Sequence, residues 1–590
     1  MALIHIYTDT TVHIMRFGKY VSTISQNETF VLDLSRGRHI VCFISDKYDV
    51  AVSQKHVFEI PDNNFEDYYE VHLFDAENQL RQNLKSYRDG EQWIIDDEGN
   101  YYSPDWKRLF KGANKDAVHI DSRCCYICSY AFQGNKDIKY VYLPNSIIGI
   151  GYSAFEYCEA LSYVYGAKTG VASYVASYAF RSCKKLQEIN LQALFHISDF
   201  LLSSCDDLRK VILNPGLLRI GKCAFFSCKS LKSIELPNTV LEICEKAFEF
   251  SALESISLPE GIETIAVGCF NCCKNLSSIN LPTTLSVIKE DAFNSCESLD
   301  NVIIPSSVQA IGNNAFYGCK ELKSLSLNEG ICTIGKDAFS RCESLRCVTI
   351  PVSVTSIMNG AFTHCMSLER FDSKYAVDDI YLICENCLIS VAHSRASDCI
   401  TVPQGVTKIG DAAFAEAKYL KEVNLPDSLI AIGNDAFSGC NSLTAITMPQ
   451  NLESIGDHAF NFCESLEQIT LPHTIKSIGK CAFVFCVRLT DIRIPNGVKS
   501  IESSTFNNCN SLKEIAFPEG VISLDITAVE YCHNLVSISI PKSLKYIVTD
   551  YFAYRFVNCP NLARIYYSIG LSENLIYQLR NAFDGELIPV

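Results

Sequence analysis

Cysteine is the residue type with the most chemical potential in this chain: 29 of them in 590 residues, together with 12 histidines. In that number cysteines ordinarily mean disulfides or zinc. Two clusters look like half of a zinc site, Cys124-Cys125-x-x-Cys128 and Cys384-x-x-Cys387. Asp96-Asp97-Glu98 near Asn100 offers oxygen ligands of the calcium kind. None of these reaches a full site. A structural zinc needs four convergent ligands, and the acidic run lacks the ligand spacing of a calcium loop, so it reads as a solvated hairpin turn. No phosphate-binding loop, His-Glu-x-x-His or Gly-x-Ser-x-Gly occurs, and the histidines have no repeated partner. The residues therefore predict no catalytic site, no metal site and no cofactor.

Position explains the cysteines better than chemistry does. Fourteen of them, from Cys158 and Cys183 through Cys365 to Cys559, fall three residues after a phenylalanine or its equivalent. They recur because a longer phrase recurs: Ile-x-x-x-Ala-Phe-x-x-Cys-x-x-Leu-x-x-Ile-x-Leu-Pro, every 23 residues between Phe270 and Phe362 and again between Phe414 and Phe506. A fixed period of this length marks a solenoid, in which no copy buries its own apolar face and each must stack on its neighbours. Equivalent side chains then form ladders, and a thiol at a buried turn serves as a small hydrophobe with a weak donor. The odd total favours a reducing compartment.

Composition supports the same architecture. Hydrophobic residues make up 48% and charged residues 20%, enough apolar surface for one continuous core and no signature of disorder. The net charge of −16 comes without a basic block, which argues against nucleic acid and against an acidic membrane surface. No stretch approaches the roughly 18 apolar residues that would span a bilayer. His5, Asp9 and His13 interrupt residues 1–20 where a signal peptide would need a uniformly apolar core. By sequence alone the expectation is a cytoplasmic protein.

The elements follow from the phrase. Anchor positions begin at Phe132 and Phe155 and continue through Phe180, Phe200 and Phe225 at irregular spacings of 25, 20 and 25. Counting Val529 at an anchor position, about 18 coils fill residues 116–567. Segment 231–237 alternates as a strand should, with Ile234 and Leu236 inward and Ser233 and Glu235 outward, and Pro237 ends it. Val240 and Ile243 line the opposite wall. Gly312, Gly335, Gly433 and Gly456 suggest a tight or positive-φ turn before the anchor. Between Phe362 and Phe414 the spacing is 52, and the excess, about residues 372–402, predicts a protruding hairpin, with residues 387–402 reading as two short strands around a polar turn. Residues 1–115 lack the repeat and read as a small β-sandwich ending in a hairpin over 94–111. At the other end, within 568–590, Ser572 can cap a helix with Leu575, Ile576, Leu579, Ala582 and Phe583 on one face.

Residues 471–489 (LPHTIKSIGKCAFVFCVRL) and their copies closely resemble the BspA-like class of leucine-rich repeats, over about residues 120–567. The resemblance implies a right-handed, curved leucine-rich-repeat array with a concave parallel sheet, preceded by a small all-β domain. It further implies a surface or secreted protein that binds host or microbial partners, and no catalytic residues. Residues 30–43 also resemble a stretch of PEGA-type β-domains.

On such a scaffold the outward strand positions of successive coils form two stripes, and these change along the chain. Tyr140, Tyr142, Tyr163 and Tyr165 should make a two-by-two patch of phenols suited to recognition; the competing expectation packs them beneath the N-terminal domain. Later stripes carry Arg370, Asp491 and Arg493. The reading is a non-catalytic scaffold, a surface adhesin for instance, that binds a protein partner through its concave face and inserted hairpin. A glycan-binding surface protein is the alternative, followed by an enzyme whose N-terminal domain carries the chemistry.

Overall fold

The computed structural model describes the backbone of the strands between Ala2 and His72, and in full residues 85, 92–166, 170–548, 556 and 558–590. The chain forms two compact units, Met1–Cys319 and Lys320–Val590, each containing stacked β-coils.

The first unit opens with two sheets. Ala2–Tyr7 lies between Thr29–Leu34 and Tyr68–His72, while Val12–Arg16 and Gly37–Ser45 form the centre of a four-stranded sheet flanked by Lys19–Ile24 and Ser53–Ile60. Whether their side chains pack as a sandwich lies outside the described residues. The hairpin of 94–111 is antiparallel, pairing Ile94–Ile95 with Tyr101–Tyr102 and the latter with Arg108–Lys111. Its turn is tied by Asp96 Oδ1, which accepts the N–H groups of Glu98 (2.9 Å) and Asn100 (2.8 Å), and by Gly99 at φ +91°. The hairpin's last strand then pairs in parallel with Tyr126–Ile127, placing Leu109 against Ile127. A coil edge that would otherwise expose free N–H and C=O groups is thus covered.

From there two parallel ladders run on opposite walls. One in the first unit joins Ala117–His119, Tyr140–Tyr142, Tyr163–Tyr165, Glu188–Leu191 and Lys210–Leu213. The other is built from the short pairs that include Gly149–Ile150 and Thr264–Ile265. Between them stand the anchor rings: Phe225 and Phe248 at 5.3 Å, Phe248 and Phe270 at 5.6 Å, Phe270 and Phe293 at 5.4 Å, all fully buried and stacked with nearly parallel planes. The second unit repeats this from Phe414 through Phe506.

The ladder of thiols has a specific partner. Cys296 Sγ donates to the carbonyl of Phe270 in the preceding coil (3.2 Å), which also accepts the Cys273 N–H (3.1 Å). The same bond recurs from Cys158 to Phe132 and from Cys463 to Phe437. Each anchor carbonyl is buried, and the thiol fills its remaining acceptor capacity.

Several expectations are corrected. The anchor of the fourth coil is Leu202, fully buried and three residues before Cys205, whose Sγ reaches the Phe180 carbonyl. Phe200 instead sits half-buried in the left-handed region at φ +57°, stacked on Tyr178 at 4.7 Å. Segment 231–237 keeps its alternation at Ser233, Ile234 and Glu235 but makes no strand, and Leu236 is only half-buried, so the ladder is interrupted there. The glycines at 312, 433 and 456 do not adopt positive φ. They allow close approach: a Cβ on Gly312 would lie 2.6 Å from the Glu290 nitrogen, and one on Gly456 2.7 Å from the Asn434 nitrogen. Positive φ is carried by the residues two before and two after most anchors, such as Asp291 and Ser295 around Phe293, or His458 and Phe462 around Phe460.

The inserted segment is also different. Cys387–Val391 pairs antiparallel with the strand before it, Tyr381–Cys384, through a turn at Glu385 and Asn386, both at positive φ. It pairs in parallel with Lys408–Ile409, while Cys399–Thr401 joins the opposite ladder beside Glu422–Asn424. Leu388 and Val391 are fully buried, and Ser390 Oγ donates to the Phe362 carbonyl (3.2 Å) in place of a thiol. Each strand meets a parallel edge already presented by the next coil, so the segment builds a modified coil rather than a projection.

At the far end the helix Glu573–Ala582 is capped by Ser572 and buries Leu575, Leu579 and Ala582. The chain continues into Glu586–Pro589, which pairs in parallel with Arg564–Tyr567.

Candidate binding surface

Tyr140, Tyr142, Tyr163 and Tyr165 stand on two adjacent three-residue strands whose middle residues, Val141 and Val164, point into the core. Period-two alternation turns the four rings to the other face. Parallel register places Tyr140 beside Tyr163 and Tyr142 beside Tyr165. The second pair stacks at 4.8 Å with 13° between planes, the first at 6.2 Å with 8°, and Tyr163 and Tyr165 lie 5.9 Å apart.

The array extends one coil further than the tyrosines. His119 pairs with Tyr142 in register and stacks on it at 4.4 Å with 4° between planes. Glu98 fixes the histidine from the hairpin turn, accepting its backbone N–H at 2.9 Å and standing 3.1 Å from Nδ1. Sequence reasoning missed His119, although it precedes Tyr142 by one repeat of 23 residues.

Tyr140 (36%), Tyr142 (38%) and Tyr165 (44%) remain exposed. Tyr163 is half-buried and donates its hydroxyl to Gln187 Oε1 at 2.6 Å. Loss of hydration against neighbouring rings, and then the adjacent Tyr142 phenol, hold the Tyr165 hydroxyl above its ordinary range. The surface is apolar-bodied with hydrogen-bonding tips.

The other candidates lie in the second unit and are not brought together. Arg370, on Arg370–Asp372, is exposed and its Nε lies 3.3 Å from Cys347 Sγ. Asp491 forms an isolated bridge with Gln468, in a different sheet, and Arg493 Nε stands 3.9 Å from its carboxylate with both side chains largely exposed. A solvated pair of this kind contributes little energy.

Among the described residues every cysteine is free and no group of three or more His, Cys, Asp or Glu side chains could hold a metal ion. Cys124 and Cys128 are buried within the coil pattern, and Cys384 and Cys387 flank the turn at Glu385 and Asn386. No described helix is long and apolar enough to cross a membrane.

Residues 107–217, 195–320, 286–395, 392–492 and 476–585 match the family described as BspA type leucine rich repeat region. No curated protein matches the chain. Similar solved structures include a leucine-rich repeat protein from Eubacterium ventriosum, 22% identical, covering 52% of this chain and 82% of that one with a TM-score of 0.44. Another is a leucine-rich repeat protein from Bacteroides ovatus, 20% identical over 85% of this chain and 99% of that one, with a TM-score of 0.31. A leucine rich cell surface protein from Faecalibacterium prausnitzii is 20% identical over 85% and 98%, with a TM-score of 0.27.

Proposed function

Because this chain belongs to the BspA-type leucine-rich repeat family, we propose that it is a non-catalytic scaffold whose tyrosine-bearing sheet binds a protein partner. The observation that supports this reading most is the in-register stack His119, Tyr142 and Tyr165, exposed along its edges and held from below by buried valines. Aromatic rings with two rotatable bonds supply large contact area at low entropic cost, which is why they dominate binding hot spots. The inserted segment drops out of the reading, because its strand Cys387–Val391 is built into the core. Arg370 and the Asp491–Arg493 pair remain secondary contacts of the later stripes.

The test is the double variant Tyr142→Ala with Tyr165→Ala, used as bait beside the unaltered chain. A partner captured by the unaltered chain should bind the variant about 30-fold more weakly, equivalent to about 2 kcal/mol, with the melting temperature nearly unchanged. Equal affinity for both baits would remove the patch from the interface. A drop in melting temperature without a loss of affinity would make it a packing contact.

A further inference from the structure

The geometry points to a second, separate site: a pocket for an acidic sugar residue between the hairpin and the first coil. A cavity of about 440 Å³ opens there, with Trp93, Tyr101, Lys111, Asn114, Tyr130 and Gln133 on its walls. That volume suits one small ligand. Trp93 (46% exposed) and Tyr130 (48%) both line the cavity and lie outside the core, and Trp93 and Tyr101 stand 6.1 Å apart at 48°. Gly112 shapes the floor, since a Cβ there would run into the Phe132 ring.

Three features narrow the ligand. Among the described residues Lys111 is the one charged side chain lining the cavity and makes no ion pair; its Nζ lies 5.8 Å from the Tyr101 ring centre. An ammonium with no carboxylate among the described lining residues favours an anionic group beside it. Polar capacity is left over at the walls: Gln133 donates to Glu156 Oε2 at 2.8 Å, which leaves its own Oε1 as an acceptor, and Asn114 is exposed. The backbone is already committed, because Gly112 N–H donates to the Ala131 carbonyl and Tyr130 N–H to the Tyr152 carbonyl. An extended peptide would need a free strand edge, and a bare phosphate would leave the aromatic walls without a partner. A pyranose carrying a carboxylate uses the rings, the ammonium and the spare polar groups together: its C–H face lies on the rings, its acid meets Lys111, and its hydroxyls meet Asn114 and Gln133.

The chain has two tryptophans, Trp93 and Trp106, so Trp106→Phe makes Trp93 the reporter. N-acetylneuraminic acid and D-glucuronic acid are titrated against D-glucose. At least one acid should give a saturable fluorescence change that glucose does not, and Lys111→Met should weaken it 10-fold or more. Should Trp106→Phe disturb the fold, saturation-transfer NMR on the unaltered chain, with Trp93→Ala as control, reads the same contact. Equal responses to glucose and the acids, or an unchanged affinity in Lys111→Met, would overturn the acidic assignment. No saturable signal by either method would overturn the site.

Discussion

His393 shows how much one side chain depends on its coil. It is almost fully buried in the modified coil, with Nδ1 3.1 Å from the Tyr419 hydroxyl and no partner for Nε2. Desolvation, and then the neighbouring His364, lower its pKa from 6.5 to about 4. Arg341 and Glu416 act on His364 with opposite signs. The folded state therefore binds this proton later than the unfolded chain does. Stability is complete above the unfolded value of 6.5, falls as pH drops from there, and levels off near 4. The total loss should be about 3 kcal/mol, from 1.36 kcal/mol per unit. Urea titrations of the unaltered chain and of His393→Gln between pH 7 and 4 check it. The variant should lose most of that slope; identical slopes would place the pH dependence elsewhere.

At the scale of the element, the coil is held by its anchor ring, its thiol and its two left-handed residues together. A non-glycine residue at positive φ costs energy, yet Asp291 and Ser295 accept it around Phe293 because their N–H groups reach carbonyls of the next coil, those of Asn313 (2.9 Å) and Tyr317 (2.6 Å). The anchor's burial supports this arrangement, so removing a ring should loosen its own coil first. Phe316→Ala leaves a cavity at a fully buried position and should cost about 3 to 5 kcal/mol. Hydrogen exchange should accelerate at amides around Phe293 and Phe316 before those around Phe155, since coupling runs between nearest neighbours. Uniform exchange across the unit would contradict that order.

Over the whole molecule, the thiols provide a count of intact coils. Burial pushes the thiols of Cys158, Cys228, Cys273 and Cys365 up to about 12, which keeps them protonated and unreactive at neutral pH. Cys332 and Cys399 are exposed. Titration with a thiol reagent should find few reactive sites in the native protein and most of the 29 after denaturation without reductant. A low count after denaturation would mean disulfides or bound metal.

The repeat was legible because it is written in local residue types. A period of 23, a buried Phe every period and a cysteine three residues on require only that each coil solve the same packing problem, and Ser572 capping its helix is likewise a local matter. What depends on a partner from elsewhere was not legible. Phe200 and Leu202 are two apolar residues two positions apart, and only the neighbouring coils decide that Leu202 faces the core. Strands 387–391 and 399–401 carry no mark of which edge they will join. The tyrosine patch was readable from spacing, whereas His119 had to be placed on it by register and Glu98, and the cavity beside Trp93 exists only where a hairpin meets a coil. Periodicity encodes contacts between equivalent residues; contacts between inequivalent ones are chosen by the folded chain, because their free energy depends on which surfaces tertiary structure brings within reach.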